Sequence, residues 1–211
     1  GNYSTAVGMG ALTAQSQSSD VDVYNTAVGY NAGAAVTTGY NNTIVGGLSA
    51  DALTTGHSNT STGVSALGAT TSGIYNVALG ISSLEANTTA SYNTAVGSQS
   101  LKANTTGGNN SALGYNALLS NTTGANNTGI GMVSLDANTT GADNVALGYA
   151  ALSANTTASN NTAVGRGALQ VNTTGTGNSM VGALSGDAIT TGDYNTGSGF
   201  YALGAVTTAD K

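Results

Sequence analysis

A tripeptide, Ala-Val-Gly or a near relative, returns through this chain on a fixed beat, and that beat decides what the chain can fold into. Its glycine falls at Gly8, Gly29, Gly46, Gly63, Gly80, Gly97, Gly114, Gly131, Gly148, Gly165, Gly182 and Gly199. Every step after Gly29 is 17 residues; the first is 21, which places a four-residue insertion within residues 15–23. A short fixed period means one structural unit per repeat, stacked on its neighbours. Residues 1–211 therefore read as a single array of twelve coils. The pattern is already running at both ends, so the chain is expected to be a piece of a longer one.

With the marker glycine at position 5, the repeat is N-T-A-[VL]-G-x-x-[AS]-L-x-A-N-T-T-G-x-x, seen plainly from Asn93 to Asn109. Position 4 is Val, Leu or Ile in ten copies, position 9 is Leu in nine, and position 13 is Thr in all eleven copies that keep register. Asx and β-branched residues beside glycine every 17 residues oppose a helix. Two short strands per repeat fit better, one through positions 2–5 and one near positions 9–14, with turns around 6–8 and 15–17. Glycine at position 15 then suits a turn of positive φ. The expected fold is all-β: a parallel β-solenoid, or β-roll, of 17-residue coils. Consecutive coils pair in parallel ~4.8 Å apart, so twelve make a rod of roughly 55–60 Å. The insertion at 15–23 is expected to leave through a turn without breaking the stack.

Each phase of the repeat becomes a column. Val28, Val45, Leu79, Val96 and Leu113 at position 4 are expected to line the interior, and Leu67, Leu84, Leu101, Leu118, Leu135, Leu152 and Leu169 at position 9 to form a second inner ladder. Where position 9 lacks Leu, at Gly33, Ala50 and Gly186, position 12 carries Val36, Leu53 and Ile189 instead of the usual Asn. One apolar filler thus moves between two places in a shared interior.

Position 1 is Asn in eleven of twelve copies: Asn25, Asn42, Asn59, Asn76, Asn93, Asn110, Asn127, Asn144, Asn161, Asn178 and Asn195. Stacked amides bond to each other and to turn backbone, so this column reads as a structural ladder rather than a ligand site. So narrow a coil buries little per residue. The small residues at positions 3 and 8 would let chains approach closely, which favours a parallel homotrimer about the fibre axis.

Composition narrows the chemistry. Only 6% of residues are charged, and the three bases, Lys102, Arg166 and Lys211, are scattered, which opposes nucleic-acid binding. No cysteine is present, so disulfides and thiol chemistry are excluded. No apolar stretch approaches the ~20 residues of a membrane span, and no signal peptide is evident. Neither catalytic nor metal-ligating residues converge, and no cofactor is implied. His57 sits at a turn, and the nine acids read as turn residues at different phases of the repeat. Calcium β-roll motifs are absent; Asp20 and Asp22 are the one local acidic pair, too few oxygens for a calcium site. Asn-x-Thr strings are formal glycosylation acceptors whose regularity comes from the repeat itself. Tyr75 and Tyr92, in adjacent coils at position 17, are the candidate glycan contacts, set against a structural role in covering the turn.

The segments [AS]-[VL]-G-x-x-[AS] and G-x-x-N-x-A-[VL]-G resemble the head repeats of trimeric autotransporter adhesins, and the longer form NTAVGxxALxxNTTGxxN resembles repeat arrays of bacteriophage tail fibres. The resemblance covers essentially the whole chain. It implies a trimeric β-roll, located outside the cell on a virion or a cell surface, and a structural fibre segment that presents an adhesive tip to a host glycan or receptor. The adhesin head is the alternative within the same class. An ice-binding solenoid is the alternative from another class, suggested by the Thr-Thr column at positions 13 and 14. A tailspike depolymerase would need acids gathered in a groove.

Overall fold

A computed structural model describes residues 3–16 and 22–208. The chain divides into two compact units, Gly1–Thr106 and Gly107–Lys211. In the first, six three-residue strands stack in chain order: β1 (Thr5–Val7), β2 (Thr26–Val28), β3 (Thr43–Val45), β4 (Thr60–Thr62), β5 (Val77–Leu79) and β6 (Thr94–Val96). Each pairs in parallel with the next. The second unit repeats the plan with β7 (Ser111–Leu113), β8 (Thr128–Ile130), β9 (Val145–Leu147), β10 (Thr162–Val164), β11 (Ser179–Val181) and β12 (Thr196–Ser198). Its strands are likewise parallel and in register. Each unit is a β-solenoid with about 17 residues per coil, and no helix occurs among the described residues.

The strand is shorter than positions 2–5, because the marker glycine turns the chain. Gly80 has φ +139°, and a Cβ there would lie 2.5 Å from the carbonyl oxygen of Gly97 in the next coil. Positive φ and close backbone approach both demand glycine. The expected second strand at positions 9–14 does not form. Positions 7 and 9 take left-handed φ, as at Ser82 (54°) and Leu84 (50°), which no strand accommodates. Two turns follow in succession: the Ser83 N–H donates to Gly80 O (3.3 Å), and the Gly68 N–H to Ser65 O (3.2 Å) in the coil before. A residue of positive φ at the third place of such a turn is the type II arrangement. Coil-to-coil bonding continues through this corner: the Leu84 N–H donates to Ser100 O (3.0 Å) and the Thr88 N–H to Thr105 O (3.1 Å). Position 15 departs from expectation in its cause. Gly141 lacks positive φ; a Cβ built there would crowd Ala158 O, Asn138 Oδ1 and Asn155 Nδ2, so the place takes only small residues, glycine here and alanine at Ala90 and Ala158.

The expected facing of the strand is inverted. Position 3 points inward, with Ala27, Ile44, Ala78, Ala95, Ala146, Ala163 and Met180 fully buried, while Val28, Leu79 and Leu113 at position 4 are exposed. The Ala/Ser column at position 8 is also buried, from Ala32 to Ser185. Position 9 does line the core: Leu67, Leu84, Leu101, Leu118, Leu135, Leu152 and Leu169 are fully buried. A Leu reaching across so narrow a coil leaves room for only a methyl group opposite, so the small residues belong inside and the branched ones outside. Dense packing makes this exchange visible. Gly33 vacates the Leu place, and a Cβ there would lie 2.8 Å from Cδ1 of Ile44 and 3.3 Å from Cγ2 of Val36. Gly186 does the same for Met180 and Ile189.

The insertion falls partly on residues 17–21, which lie outside the described residues, so the expected protruding loop has no structural account. The stack itself is unbroken there: Val7 pairs with Val28, and Gln15 and Val23 sit within the first two coils.

The facing has a direct test. Leu118→Asp puts an unpaired carboxylate in the core and is expected to cost at least 3 kcal/mol, enough to lose the cooperative melt. Lys102, half exposed and 3.6 Å from Glu85, is expected to tolerate aspartate within about 1 kcal/mol. Equal melting temperatures by circular dichroism would refute the assignment.

Candidate functional site

The most ordered feature of both units is a pair of buried asparagine columns. At position 1, Asn42 shows the pattern. Its Nδ2 donates to Asn25 Oδ1 (3.1 Å) and to Gly56 O (3.0 Å), and its backbone N–H donates to the same Oδ1 (2.9 Å). Asn59, Asn76, Asn144 and Asn195 repeat the amide-to-amide bond, and Asn93, Asn127, Asn161 and Asn178 the backbone bond. Asn110 donates to Gly124 O at 2.9 Å. In the first coil, Ser4 holds position 1, and Gln15 supports it. The Gln15 Nε2 donates to Ser4 Oγ (2.9 Å), and Asn25 Nδ2 donates to Gln15 Oε1 (3.2 Å).

A second ladder stands at position 12, where the sequence shows only a place that the apolar filler sometimes takes. Asn87, Asn104, Asn121, Asn138, Asn155 and Asn172 are fully buried. Asn138 Nδ2 donates to Asn121 Oδ1 (2.8 Å) and Asn155 Nδ2 to Asn138 Oδ1 (2.9 Å). Both ladders converge on the position 15 carbonyl. Gly141 O accepts from Asn127 at 2.8 Å and Asn138 at 3.0 Å, and Gly175 O accepts from Asn161 and Asn172, both at 2.9 Å. The second column ends where its chemistry changes: Ile189 follows Asn172, and Asn172 Oδ1 is left buried without a hydrogen bond. Its regularity at 17-residue spacing was the signal available in the sequence.

The Thr-Thr column divides. Position 13 hydroxyls bond across coils, as in Thr139 Oγ1 to Thr156 O (3.0 Å) and Thr173 Oγ1 to Thr190 O (3.1 Å). Position 14 is exposed, from Thr38 to Thr208.

Aromatic rings line one edge of the first unit. Tyr75 and Tyr92 stack with centroids 5.4 Å apart and planes within 12°. Tyr40 stacks on His57 at 4.5 Å, and His57 meets Tyr75 edge-on at 5.5 Å. A ring face covered by its neighbour cannot also hold a sugar face. His57 Nδ1 lies 3.2 Å from Ser58 Oγ.

The acids are less scattered than their sequence reading. Asp51, Glu85, Asp136 and Asp187 all occupy position 10, each in its own coil. Asp193 and Asp143 work in turns: Asp193 Oδ1 accepts from Thr176 N–H and Thr176 Oγ1, and Asp143 Oδ1 accepts from Asn126 Nδ2 (3.0 Å). Asp20 lies outside the described residues, while Asp22 Oδ2 accepts from the Tyr24 hydroxyl (3.4 Å). Among the described residues no three His, Cys, Asp or Glu side chains gather as metal ligands. No helix among them is long and apolar enough to cross a membrane. Burial pushes the carboxyls of Asp51 and Asp136 above the ordinary carboxylate value, opposed by backbone hydrogen bonds at each carboxyl.

Comparison of the chain with protein-family models, with curated proteins and with solved structures gives no match.

Two outcomes follow from this geometry. Asn144→Ala removes the donor to Asn127 Oδ1 and Ala158 O and the acceptor of the Asn161 N–H. It is expected to cost about 2–4 kcal/mol, whereas Asn160→Ala, exposed at position 17, costs under about 1. Denaturant melts check this. A raised folded-state pKa means that stability falls as pH rises through the window just above the ordinary carboxylate value. Asp136→Asn is therefore expected to raise the melting temperature at pH 7 by about 1 °C and to lose that advantage near pH 3. A gain that persists at pH 3 would contradict burial as the cause.

Proposed function

We propose that this chain is a structural segment of a fibre, in a phage tail fibre or a similar extracellular appendage, that holds an adhesive tip away from the particle or cell. One observation carries the reading. Every inner coil of each unit offers the next coil the same position 1 Asn amide, the same position 15 carbonyl and the same in-register strand. A chain built this way lengthens by adding identical coils, which suits a spacer. Residue chemistry supports a structural role over catalysis, because among the described residues Asp143 and Asp193 serve turns, Glu85 pairs with Lys102, and the position 10 acids stand one to a coil. The resemblance to tail-fibre arrays and to trimeric adhesin heads points the same way, and the adhesin head is the bacterial variant of the same role.

Three parallel copies form the fibre in this reading. Positions 3 and 8 no longer supply the contacts, since the inner coils bury them themselves. Apolar residues left exposed on the strand supply the incentive instead. A host glycan or receptor belongs to the tip, with the exposed parts of Tyr75 and Tyr92 as the side-chain candidates on the segment itself.

Two measurements test the proposal. Sedimentation equilibrium is expected to return three times the 20.3 kDa chain mass. Antibody raised to the chain is expected to decorate thin filaments on the source particle or cell in electron micrographs. A heat-resistant monomer, or label confined to a particle interior, would reject it.

Ice binding keeps one observation in its favour: Thr26, Thr43, Thr94 and Thr196 at position 2 face solvent in a rank beside position 4. Thermal hysteresis in the purified chain would favour that reading.

A further inference from the structure

Each unit leaves one wall of its coils apolar and uncovered. Position 4 points out from the strand, and position 6 is exposed two residues on, where the coil-to-coil ladder continues: the Val133 N–H donates to Tyr115 O (3.0 Å) and the Gly167 N–H to Tyr149 O (2.9 Å), which puts alternate residues on one side. In the second unit Leu113, Ile130 and Val181 at position 4, with Tyr115, Met132 and Tyr149 at position 6, are each 40–51% exposed. The first unit has the same wall, with Leu79 and Ile81 exposed. Positions 2, 4 and 6 hold no acid and one base, Arg166, among all twelve copies. Soluble monomers rarely expose a continuous apolar patch beyond a few hundred Å².

We propose that this wall is where further copies of this chain pack, parallel and in register; the inference rests on the fibre reading above. Three observations select that occupant. The wall repeats once per coil along each unit, so a partner that matches it coil by coil must carry the same period, which another copy does by construction. Its extent is sufficient: half-exposed aromatics offer about 100 Å² each and aliphatics about 50 Å². The six coils of the second unit then present on the order of 600 Å² and those of the first about 500 Å², so one chain offers more than the ~800 Å² per partner of a stable interface. It is also nearly uncharged, so identical walls meet without repulsion except at Arg166, whose aliphatic stem lets the guanidinium reach the rim.

The experiment uses the whole chain. Ile130→Asp with Tyr149→Asp places two charges on the wall at positions already exposed in the single chain. This double variant is expected to sediment as a monomer with the β signature in circular dichroism intact. Thr140→Asp with Thr157→Asp, at position 14, is expected to stay associated. Because the chain has no cysteine, M132C supplies a lone thiol. In a parallel, in-register assembly it is expected to form a disulfide-linked dimer under mild oxidant, while T140C stays uncrosslinked. A wall variant that remains associated, or crosslinking through T140C and not M132C, would overturn the assignment of this face while the fibre reading stands. A wild-type chain that sediments as a monomer at micromolar concentration would overturn both.

Discussion

Everything in this fold depends on one carbonyl oxygen per coil. In the regular coils the position 15 carbonyl receives two asparagine amides, one from each side of the coil's polar half. Ala90 O, bonded by Asn76 at 2.9 Å and Asn87 at 3.1 Å, shows that alanine serves as well as glycine. With both acceptor sites filled, the turn is tied at once to the strand entrance and to the end of the corner. Each amide then uses its own oxygen to receive the coil above. A buried amide without partners costs about 1–3 kcal/mol, so the column holds only if every coil keeps register. That requirement explains why the strand can be three residues long. The short β-ladder does not fix the register by itself; the amide columns do.

The apolar half of the coil obeys a different rule, constant volume. Leu at position 9 fills the space between the strand and the corner and confines positions 3 and 8 to Ala, Ser or Gly. When Leu is lost the volume returns elsewhere: Ile44 and Val36 for Gly33, Met180 and Ile189 for Gly186. Serine adapts in the same space, since Ser83, Ser100, Ser134 and Ser185 each donate back to the marker glycine's carbonyl at 2.9 Å. Thr70 replaces Asn at position 12 and still passes a hydrogen bond from Asn87 Nδ2 to its own hydroxyl and on to Asn87 O. The polar and apolar halves thus tolerate exchange separately, each on its own criterion.

This division also sets what faces outward. Asp143 and Asp193 are held in turns, and outward stand a rank of threonine, a rank of branched aliphatics and a mixed aromatic line. Such a surface is suited to contact along its length rather than to a single pocket. The proposed fibre would make use of contact of that kind, which is why the functional proposal and the proposed assembly wall belong together.

Much of this was legible in the sequence, because a fixed period converts composition into geometry. Parallel coils, the Asn column at position 1, the Leu column at position 9 and its exchange with position 12 all follow from spacing and residue type. Three things did not follow. Strand alternation says that positions 3 and 4 face opposite ways but not which is inside; that was decided by how far Leu84 and its equivalents reach across a narrow coil. The corner could not be told from a strand, since left-handed φ at Leu84 or Leu118 leaves no mark in a residue type that usually avoids it. The second Asn column looked like a gap in the apolar pattern until its carbonyl partner was in place. Periodicity determined that the chain stacks. The width of the coil, a property of the folded cross-section alone, decided which side chains it hides and which it leaves outside.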